Sequence, residues 1–285
     1  MPEKVLDVSV VIPAYNREAI IGRAVLSALN QRPHRAAEVI VVDDGSTDAT
    51  GEVAERLGAR VIRQENKGEG GARNAGVAAA TSTWLAFLDS DDEWLPQHLS
   101  VLSPHLEDNV LVCSAARCVP SGQLAGICDA HPRTVTAASI LWPHSPLVPS
   151  AAMVRRDVAL EVDGFRALPT AADLDFFIRV LECGTGVVLP DITTVYFEHD
   201  AQISTDMAAL RRGRLQVLDD YADRSWFPTD VLGKVHISEE WDDFREAQRA
   251  SDWKRAAAHA GRLMRPRALP ALVALWRFRL DGRRH

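Results

Sequence analysis

The chain has 285 residues, of which 47% are hydrophobic and 25% charged, and its formal net charge is −7. This size predicts one large α/β domain with a smaller appendage, and the acidic balance argues against a dedicated nucleic-acid-binding protein. The four cysteines, Cys113, Cys118, Cys128 and Cys183, lack the paired spacing of zinc sites and are expected to be reduced. With no signal peptide and no apolar run of about 20 residues, a cytoplasmic protein is expected.

The first part of the chain alternates apolar runs with amphipathic stretches. Residues 8–13 and 38–42 are continuous apolar runs typical of buried parallel strands, and residues 18–31 between them have apolar positions at helical spacing. A strand, a helix and a strand in this order predict a right-handed parallel unit. Another helix and a strand at residues 59–63 continue the pattern.

Residues 66–76, NKGEGGARNAG, predict a glycine-rich turn that leads into an alanine-rich helix ending near Thr81. The segment lacks the Lys and the Ser or Thr of a P-loop, and Arg73 stands where G-x-G-x-x-G needs its third glycine. Backbone amides at the start of a helix, with Arg73 beside them, are suited to an anion. A plain tight turn is the alternative.

Residues 84–88, WLAFL, are apolar throughout and predict a central strand covered on both faces. Asp89, Ser90, Asp91 and Asp92 follow at its carboxyl end, the edge where open α/β sheets bind ligands. Neighbouring carboxylates repel one another unless a cation lies among them, and a divalent cation with oxygen ligands is the usual partner. The alternative is a helix N-cap in a solvated acidic turn.

The second part of the chain predicts further strands joined by loops. We expect a strand at residues 110–116, a hairpin at 120–122, and closing strands at 187–189 and 193–197. Residues 126–149 are rich in Pro, His and Ser without clear periodicity, which is typical of a loop region that faces a substrate.

Residues 170–183 predict a helix that carries an apolar face and several charges. Asp175 and Arg179 have the i, i+4 spacing of a surface ion pair. Asp173 lies about 200° around the helix from Asp175, so both cannot point into one site. Thr170 and Asp173 also have the spacing of a capping box, in which Asp173 would serve only the helix terminus.

The composition changes after the last predicted strand. His199 follows that strand, and a lone histidine in such a place is more often a surface or packed residue than a ligand. Beyond it, helices are predicted near residues 206–222, 229–249, 252–264 and 268–280. The last of these is short, apolar and basic, which suits a peripheral membrane contact, although packing against the main domain or a second copy of the chain is favoured.

Taken in order, the motifs VSVVIPAYN, VVDDGSTDAT, NKGEGGARNAG and FLDSDDEW resemble the family 2 inverting glycosyltransferases of the GT-A fold, over about the first 200 residues. The resemblance implies a mostly parallel, Rossmann-like sheet flanked by helices, with a C-terminal helical appendage. It divides the chain into a nucleotide-sugar-binding half at residues 1–105, an acceptor half at 106–205 and a helical region at 206–285.

The resemblance also assigns roles to individual residues. It implies donor-binding roles for Pro13, Ala14, Tyr15, Glu18, Asp44, Arg73 and Asp89. Asp44 would accept a hydrogen bond from a pyrimidine imide, while Asp91 and His199 would hold a divalent cation, Mn²⁺ or Mg²⁺. Asp173 corresponds to the catalytic base, although Ala172 stands where the family often has a second acid.

The predicted function is therefore an inverting, metal-dependent transfer of a sugar from a nucleotide-diphospho-sugar to a hydroxyl or similar nucleophile. UDP or dTDP is favoured, with GDP still open because guanine also has an imide-like N–H. The acceptor, a glycan, lipid carrier, peptide or small molecule, has no motif in the sequence. One alternative is a non-catalytic nucleotide-sugar-binding module, motivated by Ala172 and the helical tail. A nucleotidyltransferase is disfavoured, because no glycine-rich, basic loop follows the first strand.

Overall fold

The computed structural model describes residues 4–125, 131–141, 145–198, 207–249 and 251–263. The chain divides into two compact units. The first unit comprises Met1–Ile140 and Ser145–Thr205, and the second comprises Leu141–His144 and Asp206–His285.

The first unit is built on one sheet. Its strands among the described residues are β1 Lys4–Ala14, β2 His34–Asp43, β3 Arg60–Arg63, β4 Trp84–Phe87, β5 Glu93–Trp94, β6 Leu111–Val119, β7 Leu124–Ala125, β8 Arg133–Val135, β9 Ala152–Arg155 and β10 Gly186–Phe197. Their order is β3-β2-β1-β4-β9-β6-β10-β5, with β7 beside β6 and β8 beside β10. Strands β1 to β4 are parallel, as predicted, and so are β6 and β10.

The second half of the sheet is mixed rather than parallel throughout. Strand β9 lies antiparallel between β4 and β6, and the short strands β5, β7 and β8 also pair in the antiparallel sense. The predicted hairpin after β6 is confirmed by the β6–β7 pair. The two predicted closing strands are one strand, β10, whose pairing with β6 shifts register between Val188 and Ile192. Pro190 lies in that gap and has no N–H to donate to a ladder.

Helices cover the sheet as the α/β class requires. Those of the first unit, among the described residues, are α1 Ile21–Leu29, α2 Thr50–Arg56, α3 Gly68–Ala79, α4 His98–Leu102, α5 Arg156–Glu161 and α6 Ala172–Glu182. The buried residues of α1 recur at helical spacing: Ile21, Ala24, Val25 and Ala28. They pack with β1 and β2 in one apolar core, so the strand ends of this half are held rigidly.

The helix predicted after the glycine-rich segment is confirmed and ends at Ala79, but the predicted turn at residues 66–76 is too long, because α3 begins at Gly68 and contains most of the segment. Gly68 has a φ of +76° at the entry to α3, whereas Gly76 serves close packing. A Cβ at Gly76 would lie 2.3 Å from Cγ1 of Val11 in β1, so only glycine lets α3 approach the sheet this closely. Arg73 consequently projects from the body of a helix instead of from a loop.

The second unit is helical in its described part. Its helices there are α7 Met207–Tyr221, α8 Val231–Arg249 and α9 Trp253–Leu263. Arg211 of α7 contacts Asp243 of α8, and His259 of α9 shares a hydrogen bond of 2.7 Å with Glu240 of α8. No helix among the described residues is long and apolar enough to span a membrane. The helix predicted at residues 268–280 lies outside the described residues.

Candidate functional site

The ends of β1, β2 and β4 place the predicted site residues at one edge of the sheet. Because these strands are parallel, their carboxyl ends meet, and two backbone hydrogen bonds extend the pairing beyond the strands. The Asp44 N–H donates to the Ala14 carbonyl at 2.8 Å, and the Leu88 N–H donates to the Val11 carbonyl at 3.1 Å. Asp44 and Asp89 therefore follow β2 and β4, the two strands that flank β1 in the sheet.

The loop after β1 is tied to the loop after β2. The Thr47 N–H donates to Asn16 Oδ1 at 2.8 Å, and the Asn16 N–H donates to Ser46 Oγ at 3.0 Å. Glu18 accepts from the Ala49 N–H at 3.2 Å, so its carboxylate braces the start of α2. Of the predicted first-loop residues, Pro13 and Ala14 are buried, whereas the Tyr15 side chain is 46% exposed.

Asp44 is buried, with only 3% of its surface exposed, and its carboxylate is hydrogen-bonded at one oxygen. Gln64 Nε2 donates to Asp44 Oδ1 at 2.6 Å, and the Lys67 N–H donates to the same oxygen at 2.9 Å. These contacts fix the carboxylate between β2 and the segment that leads into α3.

Arg73 brings α3 and the end of β4 together. Its Nη2 donates to Asp89 Oδ1 at 2.6 Å and also contacts the Glu69 carboxylate one helical turn away. Burial alone would lower the pKa of Arg73, but Asp89, Glu69 and Asp173 together raise it above its ordinary value. Arg73 is thus a permanent positive charge shared among three carboxylates.

Asp173 lies in the first turn of α6, where the structure brings it into the electrostatic range of Arg73 and Glu69. The preceding Ala171 has a left-handed backbone, and no side chain caps the helix. The positive charge of Arg73 lowers the pKa of Glu69. Burial and repulsion by Asp89 and Asp173 together outweigh this effect, so the pKa of Glu69 lies above its ordinary value. A second carboxylate beside the predicted base therefore comes from Glu69 of α3, which sequence reasoning missed because it searched only position 172.

The three aspartates after β4 occupy different environments. Asp89 is paired with Arg73, Asp91 is partly exposed, and Asp92 is completely buried. Asp92 accepts from Ser150 Oγ at 2.5 Å and from the Phe197 N–H at 3.2 Å, which joins the acidic turn to the end of β10. Burial, followed by repulsion from Asp89, raises the pKa of Asp92 to about 8.

The segment between α5 and α6 is held by hydrogen bonds to α3 and by aromatic stacking on α6. Asn74 Nδ2 donates to the Phe165 carbonyl at 2.8 Å, and Asn74 Oδ1 accepts from the Phe165 N–H at 2.7 Å. Gly164 has a φ of +61°, and a Cβ there would lie 2.3 Å from Asn74 Oδ1, so the position requires glycine. The Phe165 ring stacks on Phe176 at 4.0 Å and lies under Arg73, whose Cζ is 5.3 Å from the ring centroid.

The predicted surface ion pair in α6 is wrong, because Asp175 is 0% exposed and Arg179 is 8% exposed. Arg179 donates to Asp175 Oδ2 through Nε at 2.9 Å and through Nη2 at 2.7 Å. It also contacts the Val162 carbonyl, and Arg166 donates to Asp175 Oδ1 at 3.2 Å. The pair therefore anchors the α5–α6 segment beneath the first turn that carries Asp173.

Of the two predicted metal ligands, Asp91 and His199, only Asp91 lies within the described residues. Asp91 lies in the acidic turn, where its backbone carbonyl accepts from Arg23, and Arg23 also stacks on Phe197. His199 lies outside the described residues. Within the described part of the chain, no three His, Cys, Asp or Glu residues are grouped as a metal-binding cluster.

Residues 9–162 match the sequence profile of Glycosyl transferase family 2, a region that includes Asp44, Arg73 and the acidic turn. The chain belongs to glycosyl transferase family 2. This result confirms the family suggested by the four motifs.

Relatives with assigned names support this membership over parts of the glycosyltransferase chain. The pre-mycofactocin glycosyltransferase of Mycobacterium tuberculosis is 32% identical over 212 residues, which cover 69% of this chain and 44% of the relative. The succinoglycan biosynthesis protein ExoO of Rhizobium meliloti is 46% identical over 101 residues, or 34% of this chain and 29% of the relative. The chain therefore spans less than half the length of these relatives.

Solved structures show the same fold at low sequence identity. The S. aureus TarS 1–349 complex with UDP-GlcNAc has a TM-score of 0.63 at 21% identity, covering 80% of this chain and 70% of that one. The mannosyltransferase PcManGT from Pyrobaculum calidifontis, in complex with GDP-Man and Mn²⁺, has a TM-score of 0.64 at 19% identity, covering 94% and 78%. The family 2 chain thus has the predicted GT-A fold.

Proposed function

We propose that this family 2 member is an inverting, metal-dependent glycosyltransferase that moves a sugar from a nucleotide-diphospho-sugar to a hydroxyl or similar nucleophile. The observation that supports this most strongly is the convergence of Asp44, the Arg73–Asp89 pair and Asp91 at the carboxyl edge of parallel strands. Open α/β sheets bind ligands at that edge. Fold neighbours that hold UDP-GlcNAc or GDP-Man support a nucleotide-sugar donor.

The donor would lie across the loops that follow β1, β2 and β4. Asp44 is the acceptor for a base imide, and Tyr15 offers an exposed ring at the edge of the same loops. Asp89, held in place by Arg73, would face the ribose, while the charge of Arg73 stabilises the diphosphate side of the donor. Glu18 would act on the nucleoside indirectly, because its carboxylate is bound to the Ala49 N–H.

The described residues fit a cation that arrives with the donor better than one held in a protein cage. Arg73 donates to the Asp89 carboxylate, and both oxygens of the buried Asp92 accept hydrogen bonds, from Ser150 and from the Phe197 N–H. One carboxylate, that of Asp91, together with phosphate oxygens and water, is a normal ligand set for Mg²⁺ or Mn²⁺ in phosphate chemistry. When bound, such a cation neutralises charge on the departing diphosphate. His199 is the proposed second protein ligand.

Asp173 is the proposed general base. As the acceptor oxygen forms its bond to the anomeric carbon, the bond from that carbon to the diphosphate oxygen breaks, and Asp173 takes the acceptor proton. A single displacement of this kind inverts the anomeric configuration. Glu69 supplies the second carboxylate that Ala172 cannot, and the positive charge of Arg73 attracts both. The acceptor would approach from the half formed by residues 106–205.

Thermal unfolding with nucleoside diphosphates tests the donor site. A ligand at about 100 times its dissociation constant stabilises a protein by about 2.7 kcal/mol. We expect UDP or dTDP with Mn²⁺ to raise the unfolding temperature, and chelator or Asp91→Ala to remove most of the increase. Asp108→Ala, at an exposed residue before β6, is the control and should behave as wild type.

Two results would count against the proposal. If UDP, dTDP, GDP and ADP all leave the unfolding temperature unchanged, the nucleotide-sugar donor is wrong. If a nucleotide stabilises the chain equally with chelator and in Asp91→Ala, the donor site stands but the metal role of Asp91 fails.

A further inference from the structure

The carboxylate of Asp44, the proposed partner of the nucleobase, has one oxygen that already accepts two hydrogen bonds from the protein. Gln64 Nε2 and the Lys67 N–H both donate to Asp44 Oδ1, at 2.6 Å and 2.9 Å. No hydrogen bond from the described part of the chain reaches Asp44 Oδ2. Because Asp44 is almost fully buried, a base that replaces water there must match this pattern group by group.

Pyrimidine and guanine bases present different donors to such a carboxylate. Uracil and thymine have one imide N–H between two carbonyl oxygens, so a single acceptor satisfies the donor. The Gln64 amide nitrogen carries a second hydrogen, which can donate to a carbonyl next to that imide. Guanine has a ring N–H and an adjacent exocyclic amine, and this pair needs both oxygens of a carboxylate.

We propose that Gln64 determines the base preference of this site, by occupying Asp44 Oδ1 and so excluding the exocyclic amine of guanine. This inference rests on the proposed function, in which Asp44 holds the nucleobase. A buried amine without an acceptor is the kind of mismatch that polar sites reject most strongly. The preferred donor is therefore a UDP- or dTDP-sugar, and the residue responsible lies outside the acidic motifs.

Inosine diphosphate isolates the exocyclic amine, because hypoxanthine is guanine without that group. The experiment measures dissociation constants of UDP, inosine diphosphate and GDP, with Mn²⁺, for the wild-type chain, Gln64→Met and Gln123→Met. Methionine keeps the length of the side chain and removes its N–H groups. Gln123 is exposed in the β6–β7 hairpin, which makes Gln123→Met the matched control.

In the wild-type chain we expect UDP to bind most tightly and inosine diphosphate to bind about 10-fold more tightly than GDP, the scale expected for one unpaired buried polar group. In Gln64→Met the Lys67 N–H still donates to Oδ1, but the second lone pair of that oxygen is released and can accept the amine. The difference between the two purines should therefore disappear. Gln123→Met should retain it.

The comparison of GDP with inosine diphosphate is made in the wild-type chain. It therefore tests the proposal even if Gln64→Met fails to fold. GDP binding as tightly as inosine diphosphate in the wild-type chain, or an unchanged ratio in Gln64→Met, overturns the role of Gln64. If UDP binds and only the ratio fails, the proposed function survives. If none of the three nucleotides binds and dTDP does not bind either, the proposed function itself is overturned.

Discussion

Replacing Asp173 with asparagine should lower the turnover of sugar transfer by about 10²- to 10⁴-fold and leave nucleotide affinity unchanged. Asparagine has nearly the same volume as aspartate but cannot take the acceptor proton. Because the donor contacts that we propose come from β1, β2, α3 and the turn after β4, the substitution should leave them intact. The measurements are the initial rate of donor consumption at saturating acceptor and the dissociation constant of the nucleoside diphosphate.

The same substitution separates catalysis from a structural role at the helix terminus. An acidic residue in the first turn of a helix contributes about 0.3–1 kcal/mol through the helix dipole, so that role predicts only a small loss of stability. The control Asp108→Asn, at an exposed residue, should retain full turnover. Unchanged turnover in Asp173→Asn, or a decrease fully explained by unfolded protein, would remove Asp173 from catalysis.

Replacing Arg179 with leucine should destabilise the first unit by about 3–5 kcal/mol, because it leaves the Asp175 carboxylate buried without its main partner. Arg166 still reaches Asp175 at 3.2 Å, which favours the lower end of that range. In a domain of this size each kcal/mol shifts the midpoint by about 2–4 °C, so thermal unfolding should show a decrease on the order of 10 °C.

Two further variants show whether burial causes the effect. Arg155→Leu breaks an exposed pair with Asp157, and such pairs are worth about 0–1 kcal/mol. The double variant Asp175→Leu with Arg179→Leu removes both charges and should recover most of the lost stability. Equal losses in Arg179→Leu and Arg155→Leu would show that the α6 pair is not the anchor that its burial indicates.

The parallel half of the sheet could be predicted because its evidence is local. The apolar runs at residues 8–13 and 38–42 each fill both faces of a strand, and the helix between them fixes a parallel connection. Parallel strands end at one edge, so the positions of Asp44 and Asp89 followed from the same pattern. The antiparallel position of β9, between β4 and β6, depends on pairing between distant segments and has no local signal.

The errors came from residues whose roles depend on distant partners. Glycines at residues 68–76 indicated a turn, yet Gly76 allows α3 to pack against Val11, a contact that spacing does not reveal. The i, i+4 spacing of Asp175 and Arg179 is the same for exposed and buried pairs. Their burial is produced by aromatic rings around Phe176 and by the segment at residues 162–166.

In the acidic turn, too, the environment of each residue depends on partners that the local sequence does not reveal. Asp89, Asp91 and Asp92 are equivalent in sequence, but Arg73 neutralises the first and burial raises the pKa of the third to about 8. Glu69 was missed because its electrostatic interaction with Asp173 links residues that are far apart in the sequence. A useful signal would have been its i, i+4 spacing to Arg73, which places both on one face of the helix.

We propose that the convergent carboxylates and Arg73 activate a pyrimidine nucleotide sugar for inverting transfer. The most direct test incubates the chain with α-linked UDP- and dTDP-sugars and Mn²⁺, without added acceptor, and follows the released sugar by NMR. We expect release of nucleoside diphosphate with water as acceptor, a β anomer as the first-formed sugar, and no release by Asp91→Ala. An α anomer as the first product, or no release from a nucleotide sugar that the chain demonstrably binds, would contradict it.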